Sequence, residues 1–203
     1  KSSKLHKIAF LGVGIVLIFS IVHLYKYYEG DRLYKKAKDA IYKEDYQNGV
    51  VFLSRALRNR YEHVYEDQLS SSLAYLAFIS SFDENKKLSP NLIQLSKDAN
   101  AHAIRQSQKN MQYWKTRAKN YYLYFQVTHN PMDIENSISS MNHVTTFAPS
   151  DAQSYYMLGL FYSVIINEDL NDAYKTKLIS ALKYALQLRP QYQEAKDLLL
   201  LSK

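Results

Sequence analysis

The hydrophobic pattern changes once along the chain. Ile8 to Tyr25 is an unbroken apolar run without a formal charge, IAFLGVGIVLIFSIVHLY. As a helix it would be about 27 Å long, close to the roughly 30 Å hydrocarbon thickness of a bilayer. From Gly30 onward the apolar residues recur every three or four positions, the period of amphipathic helices. Gln112 to about Thr128 carries Trp114, Ala118, Tyr121, Tyr122 and Phe125 at that spacing. Pro131 then opens another helix, where its missing N–H costs little, with Asp133 and Glu135 in the first turn and Ile134, Ile138, Met141 and Val144 as its apolar stripe. Pro149 closes that segment, Ser150–Gln153 reads as a capping box for the next helix, and Ser89-Pro90 reads as a cap and first helical residue. The chain is predicted to be all-α: an N-terminal transmembrane helix followed by an α-solenoid of helical hairpins.

The solenoid expectation comes from self-similarity. An offset of 41 residues pairs Trp114 with Tyr155, Ala118 with Gly159, Tyr121 with Tyr162, Met141 with Leu182, Val144 with Ala185, Phe147 with Leu188 and Pro149 with Pro190. The same step backward reaches Leu73, Ala77 and Ala103. The order large, Leu, small, aromatic at Tyr155, Leu158, Gly159 and Tyr162 resembles the first helix of the tetratricopeptide (TPR) repeat, and so do Trp114, Ala118 and Tyr121, with Arg117 at the Leu position. Leu182, Ala185, Leu186, Leu188 and Pro190 are similar to the second helix of that repeat and its exit. Leu33, Ala37, Gly49, Leu53 and Ala56 match a first unit, with Tyr61 where the family has Pro. In that unit the small residues Ala37 and Ala56 lie 19 apart; Ala77–Ala103, Ala118–Val144 and Gly159–Ala185 are each 26 apart. The extra seven residues predict lengthened helices or inter-helix loops. The resulting organisation is a basic flank and membrane helix over residues 1–28, then a repeat domain over 29–203. Its units fall at about 30–61, 62–110, 111–149 and 150–190, with a capping helix at 191–203 carrying Tyr192, Ala195, Leu198 and Leu199 inward and Lys196, Asp197 and Lys203 toward water.

Charge supports the membrane reading of the first segment. The net charge is +7, and residues 1–38 account for +6 of it, with eight Lys/Arg against Glu29 and Asp31. The excess therefore flanks the apolar run, which suits anionic headgroups better than a phosphate backbone, and no nucleic-acid partner is expected. The Lys109, Lys115, Arg117 and Lys119 cluster reads as a solvated helix face. His23, near Tyr25, Lys26, Tyr27 and Tyr28, has the composition of an interface, so the expected lipid contact runs over residues 8–25. A signal peptide, the competing reading, fits less well: the apolar run is long and HLYKYYEGD, across and beyond its end, has no small-x-small cleavage pattern. Lys1, Lys4 and Lys7 before the run and Lys26, Arg32, Lys35, Lys36 and Lys38 after it mildly favour a cytoplasmic C-terminal part. A first residue of Lys rather than Met marks a processed product or a piece of a longer chain.

No catalytic pattern stands out. There is no Cys, so disulfides, thiolate metal sites and Cys nucleophiles are excluded. Gly12-Val13-Gly14 lacks the third glycine of a dinucleotide fingerprint, since residue 17 is Leu. His6, His23, His63, His102, His129 and His143 include no HExxH spacing, and the pairs Glu44/Asp45, Glu66/Asp67 and Asp83/Glu84 fall near helix ends or loops. No cofactor, metal or catalytic residue is assigned.

What the TPR resemblance implies is a concave groove lined by the first helices of successive units, in which a protein or peptide partner lies. Carrying over the groove-facing positions gives Tyr34, Lys38 and Tyr42, then Phe78, then Lys115, Lys119 and Tyr122, then Tyr156 and Leu160. The function expected is a membrane-anchored protein-interaction module, non-catalytic in these residues. A membrane helix followed by a TPR-like domain also resembles the C-terminal part of bacterial O-antigen ligase or polymerase-like membrane proteins. That resemblance implies an accessory domain of a glycosyl-transfer enzyme in the bacterial cell membrane, on its extracytoplasmic side, with the active site upstream. A scaffold for envelope assembly or secretion is the third reading.

Overall fold

The computed structural model describes residues 2–82, 88–167 and 173–202. Lys1, the Asp83/Glu84 pair and Lys203 lie outside the described residues. Among the described residues the elements are all helices: α1 (Ser2–Tyr42), α2 (Tyr46–Asn59), α3 (His63–Ser80), α4 (Ser89–Gln106), α5 (Met111–Thr128), α6 (Pro131–Phe147), α7 (Ala152–Asn167), α8 (Tyr174–Leu188) and α9 (Gln193–Leu201). Successive pairs form antiparallel hairpins, α1–α2, α3–α4, α5–α6 and α7–α8, each stacked on the next, with α9 packed on α8.

Each helix end has a local cause. Asp45, Asn110 and Asn130 accept the backbone N–H of Asn48, Gln112 and Met132, which caps α2, α5 and α6. At α7 the cap is Asp151 rather than Ser150: its carboxylate accepts from the Gln153 N–H and the Ser154 hydroxyl. Ser89 does not cap α4; its buried hydroxyl donates to the Ala77 carbonyl 3.1 Å away and ties the two helices of that hairpin together. α5 ends on His129, whose left-handed backbone (φ 52°) lets its N–H reach the Phe125 carbonyl.

The stacking depends on small residues at the crossings. Ala37, Ala56, Ala77, Ala103, Ala118, Ala185 and Ala195 are completely buried. Gly159 shows how tight the contact is: a Cβ there would lie 2.6 Å from Leu182 Cδ2 and 2.9 Å from its Cγ, so the α7 backbone rests directly on Leu182 of α8. Around this contact Phe161, Ile165, Leu178 and Leu182 join Ile134, Met141 and Val144 of α6 in one apolar core that runs from α5 to α9. A second core, Leu33, Ala37, Leu53, Ala56 and Tyr65, holds α1, α2 and the start of α3.

The repeat is not evenly spaced. α5 and α7 begin 41 residues apart, as the offset requires, but α3 and α5 begin 48 apart. The long α3–α4 connection (residues 81–88) accounts for most of the difference, since α5 and α6 are joined through residues 129–130 alone. Ser70, not Ala77, therefore takes the place in α3 that Ala118 and Gly159 take in α5 and α7.

α1 is the longest element, about 62 Å at 1.5 Å per residue. It is long and apolar enough to cross a membrane, and from Phe10 onward none of the apolar stretch is buried against the rest of the chain. It continues without a break into the first hairpin. At the junction the Arg60 guanidinium lies 4.1 Å over the Tyr27 ring and pairs with Asp31 and Glu62, while the Tyr65 hydroxyl donates to Asp31. These contacts fix the α2–α3 turn beside the end of the apolar stretch.

The Gly159 contact yields a prediction. Gly159→Val places two methyls where Leu182 stands and is expected to cost about 1–3 kcal/mol by overpacking, lowering the thermal midpoint by several degrees. Adding Leu182→Ala vacates that space and should recover part of the loss. Circular dichroism melts of the two variants check this; a fully additive double variant would show that the contact is not the cause.

Candidate functional site

A concavity of the repeat domain lies between the first helices of the first three hairpins. Tyr34 of α1, Val64, Asp67, Gln68, Ser71 and Tyr75 of α3, and Gln112, Tyr113, Thr116 and Lys119 of α5 line a cleft of about 370 Å³, with Asn110 at its end. The spacing 64, 67/68, 71, 75 is one face of α3, so a single helix supplies the floor. The rings are held in place from behind. Tyr34 stacks on Tyr65 at 4.6 Å between centroids, and Tyr75 on Tyr46 at 4.8 Å. The Tyr113 hydroxyl bonds the His63 ring. Lys38 reaches over the Tyr34 ring at 5.5 Å, and Lys119 is exposed on the opposite wall.

Asp67 is the unusual group. Only 8 % of it is exposed, and it is the carboxylate at the floor of the cleft. It accepts from the Thr116 hydroxyl at 3.0 Å and from the Asn100 amide at 3.3 Å. Burial pushes its pKa up to about 7, against the two hydrogen bonds that favour the ionised form. Behind it the polar contacts continue. Asn100 also donates to the Tyr113 carbonyl, Ser96 donates to the Ser70 carbonyl, Tyr124 to Ser96, and Asn120 to the Ser70 hydroxyl. The junction of α3, α4 and α5 thus contains a buried polar seam, beside the apolar cluster of Ala74, Ala77, Ile93 and Leu123.

The groove residues expected from the sequence separate into distinct environments. Tyr34 and Lys119 line the cleft, and Lys38 stands on its rim. Tyr42 is 90 % exposed at the end of α1, outside the cleft. Phe78 packs edge-on against Phe82 at 5.0 Å and against the core of Ala74, Ala77 and Ile93. The physical reason is the longer α3–α4 connection: stepping back 48 residues from Lys119 reaches Ser71, which lines the cleft, whereas 41 reaches Phe78. Lys115 is turned to α7, where it pairs with Asp151. Burial alone would raise the Asp151 pKa, but the hydrogen bonds from Lys115, Ser154 and the Gln153 N–H hold it below the usual carboxylate range. Tyr122 lies 5.7 Å from Phe161 and Tyr156 5.0 Å from Tyr192, so both rings pack between helices; Leu160 is half-buried on α7. Asp67, Ser71, Tyr75 and Tyr113 went unrecognised in the sequence. For the three on α3 the signal was the polar and aromatic stripe along that helix, legible only once it is registered by its own start; Tyr113, on α5, had no such signal.

Among the described residues no three His, Asp or Glu side chains gather as a metal-binding group. No family model matches the sequence, and no curated protein matches it either. Solved structures do, among them the following two. MamA (RS-1, an ArsTM double mutant) superposes with a TM-score of 0.60 at 15% identity, over 86% of this chain and 83% of that one. YrrB, described as a TPR protein with an unusual peptide-binding site, superposes with a TM-score of 0.52 at 18% identity, over 83% of this chain and 73% of that one. The fold is a TPR-like helical repeat. At these identities the likeness speaks for architecture, and the cleft coincides with the surface that first helices present in such a TPR-like stack.

Asp67 gives the second prediction. Its folded pKa is above the ordinary carboxylate value of 3.8, so the stability it contributes is fully present below about pH 4 and lost as pH rises through about 7. Asp67→Asn keeps the shape without the charge; its oxygen can still accept from the Asn100 amide, while its NH2 must donate to the Thr116 hydroxyl, reversing that bond. Relative to wild type it is expected to gain stability with rising pH, approaching at most about 4 kcal/mol above pH 8. Urea midpoints for both proteins at pH 5 and pH 8 test this; a constant gap between them would mean the carboxylate titrates normally.

Proposed function

We propose that the chain is a membrane-tethered TPR-like module that binds an extended segment of a partner protein in the α1–α3–α5 cleft. The observation that carries this reading is the cleft itself: rings fixed by stacking, flanked by exposed lysines and hydrogen-bonding side chains, on the face that the TPR stack leaves open. Rigid aromatics supply contact area at low entropic cost, and Gln68, Ser71, Asn110 and Gln112 are placed to bond a peptide backbone. YrrB, similar in fold, is itself a peptide-binding TPR protein. The tether is the apolar part of α1, whose uncovered side chains, aromatic and basic flank and length match a bilayer span. Placement in a bacterial cell membrane beside a glycosyl-transfer enzyme, or in an envelope scaffold, would use the same tether and cleft and differ only in the partner.

The test follows from the lining. Ser71→Arg fills the cleft and Lys119→Glu reverses its wall, and neither residue belongs to an apolar core. A random peptide library selected on the full chain in detergent should yield binders that lose about tenfold in affinity on the double variant, with the helical signal unchanged. Binders indifferent to both changes would place recognition elsewhere. Lys115 and Tyr122 are poor probes, because altering them disturbs the α5–α7 contact.

A further inference from the structure

The side chains at the membrane-proximal edge of the repeat domain are sorted by charge. α1 is continuous, so the level of each hairpin end along its axis follows from contacts. Arg60 over Tyr27 places the α2–α3 turn two residues beyond the apolar run. Tyr61 and Glu66 both bond His102, and His63 bonds Tyr113, which brings the end of α4 and the start of α5 to the same edge. On the part of this edge from α1 to the α4–α5 connection the acids are occupied: Asp31 and Glu62 by Arg60, Glu29 by Arg32, Glu66 by Tyr61 and His102. Lys26, Arg58, Arg105 and Lys109 are exposed, and none of them has a carboxylate within ion-pair distance among the described residues. The opposite edge differs. The α1–α2 turn there holds Lys43, Glu44 and Asp45, and lies about 24 Å farther along α1 than Tyr27.

We infer that this edge, carrying Arg58, Arg105 and Lys109 beside Lys26, docks on the anionic lipid headgroups of the same bilayer that α1 enters. The inference rests on reading α1 as a membrane span and goes beyond it: the repeat domain lies on the surface instead of standing free above it. Two observations select lipid over an acidic protein. The basic groups share a level with the interfacial tyrosines Tyr25, Tyr27 and Tyr28, and the unbroken helix with its Arg60 clamp leaves no hinge that would lift them away. Attraction of this kind falls off within a Debye length, about 8–10 Å at physiological salt, so only groups at this level feel it.

The absence of cysteine makes the test direct. Gln108→Cys on the α4–α5 connection and Lys43→Cys on the opposite turn each take a single spin label. The full chain is reconstituted into vesicles of phosphatidylcholine with one third phosphatidylglycerol and a trace of nickel-chelating headgroup lipid. Relaxation enhancement by the headgroup nickel is expected to be several-fold greater at 108 than at 43. It should be at least halved at 108 by Arg58→Glu/Arg105→Glu/Lys109→Glu, with 43 unchanged. Equal enhancement at the two sites, or a triple variant that behaves like wild type, overturns the docking edge while leaving the tether intact. A chain that washes off the vesicles in alkaline carbonate overturns the tether and the edge together.

Discussion

The close approach of helix backbones at small side chains is the constraint from which the other features follow. Where Gly159 meets Leu182, and where Ala37, Ala56, Ala118 and Ala185 are wholly enclosed, a larger residue has no space. A hairpin packed this tightly has a fixed angle to its neighbour, and each hairpin buries its apolar face only by stacking on the next. The open face left by the first helices is the by-product of that stacking. The cleft arises because Tyr34, Tyr75 and Tyr113 line it from three helices whose relative positions the small residues determine.

The stack is not uniform. Between the apolar core of α1–α2 and the one spanning α5–α9 lies the polar seam of Asp67, Ser70, Ser96, Asn100, Thr116, Asn120 and Tyr124. Hydrogen bonds need defined partners, so the seam specifies the register of α3 against α4 and α5 more sharply than interchangeable apolar contacts would. The cost is Asp67, a carboxylate buried in surroundings that favour its neutral form. Its position at the floor of the cleft puts this unfavourable burial beside the proposed binding surface, where perturbed groups often gather.

The sequence exposed the helical period, the membrane-length apolar run and the hairpin repeat, because each rests on side-chain polarity at short range. Pro131 and Pro149 marked helix limits correctly for the same reason. Register across hairpins was harder. It is set by connection lengths, and the 81–88 connection adds nearly two turns that the 41-residue offset ignores. Phe78 was therefore assigned where Ser71 stands. The partnerships of Lys115 with Asp151, and of Tyr122 with Phe161, join residues on different hairpins, and no local pattern distinguishes a lysine that faces a groove from one that closes an interface. Asp67 was hidden by its residue type: an acid beside Glu66 reads as a solvated pair until the fold shows that one of the two is enclosed.

α1 does three things with one unbroken helix. It supplies the apolar span, one wall of the cleft through Tyr34, and the clamp site for Arg60. Tyr34 lies nine residues past Tyr25, which along a helix is about 14 Å. An extended chain covers that distance in roughly four or five residues. With α1 read as a membrane span, as proposed, a partner segment emerging from the same bilayer would meet the cleft almost at once, at a local concentration that no soluble copy of the domain would have. A flexible linker would average this advantage over many orientations. A continuous helix does not, so on the proposed reading of α1 as a membrane span and of the cleft as the binding site, partners that begin in the membrane are favoured over partners that arrive from solution.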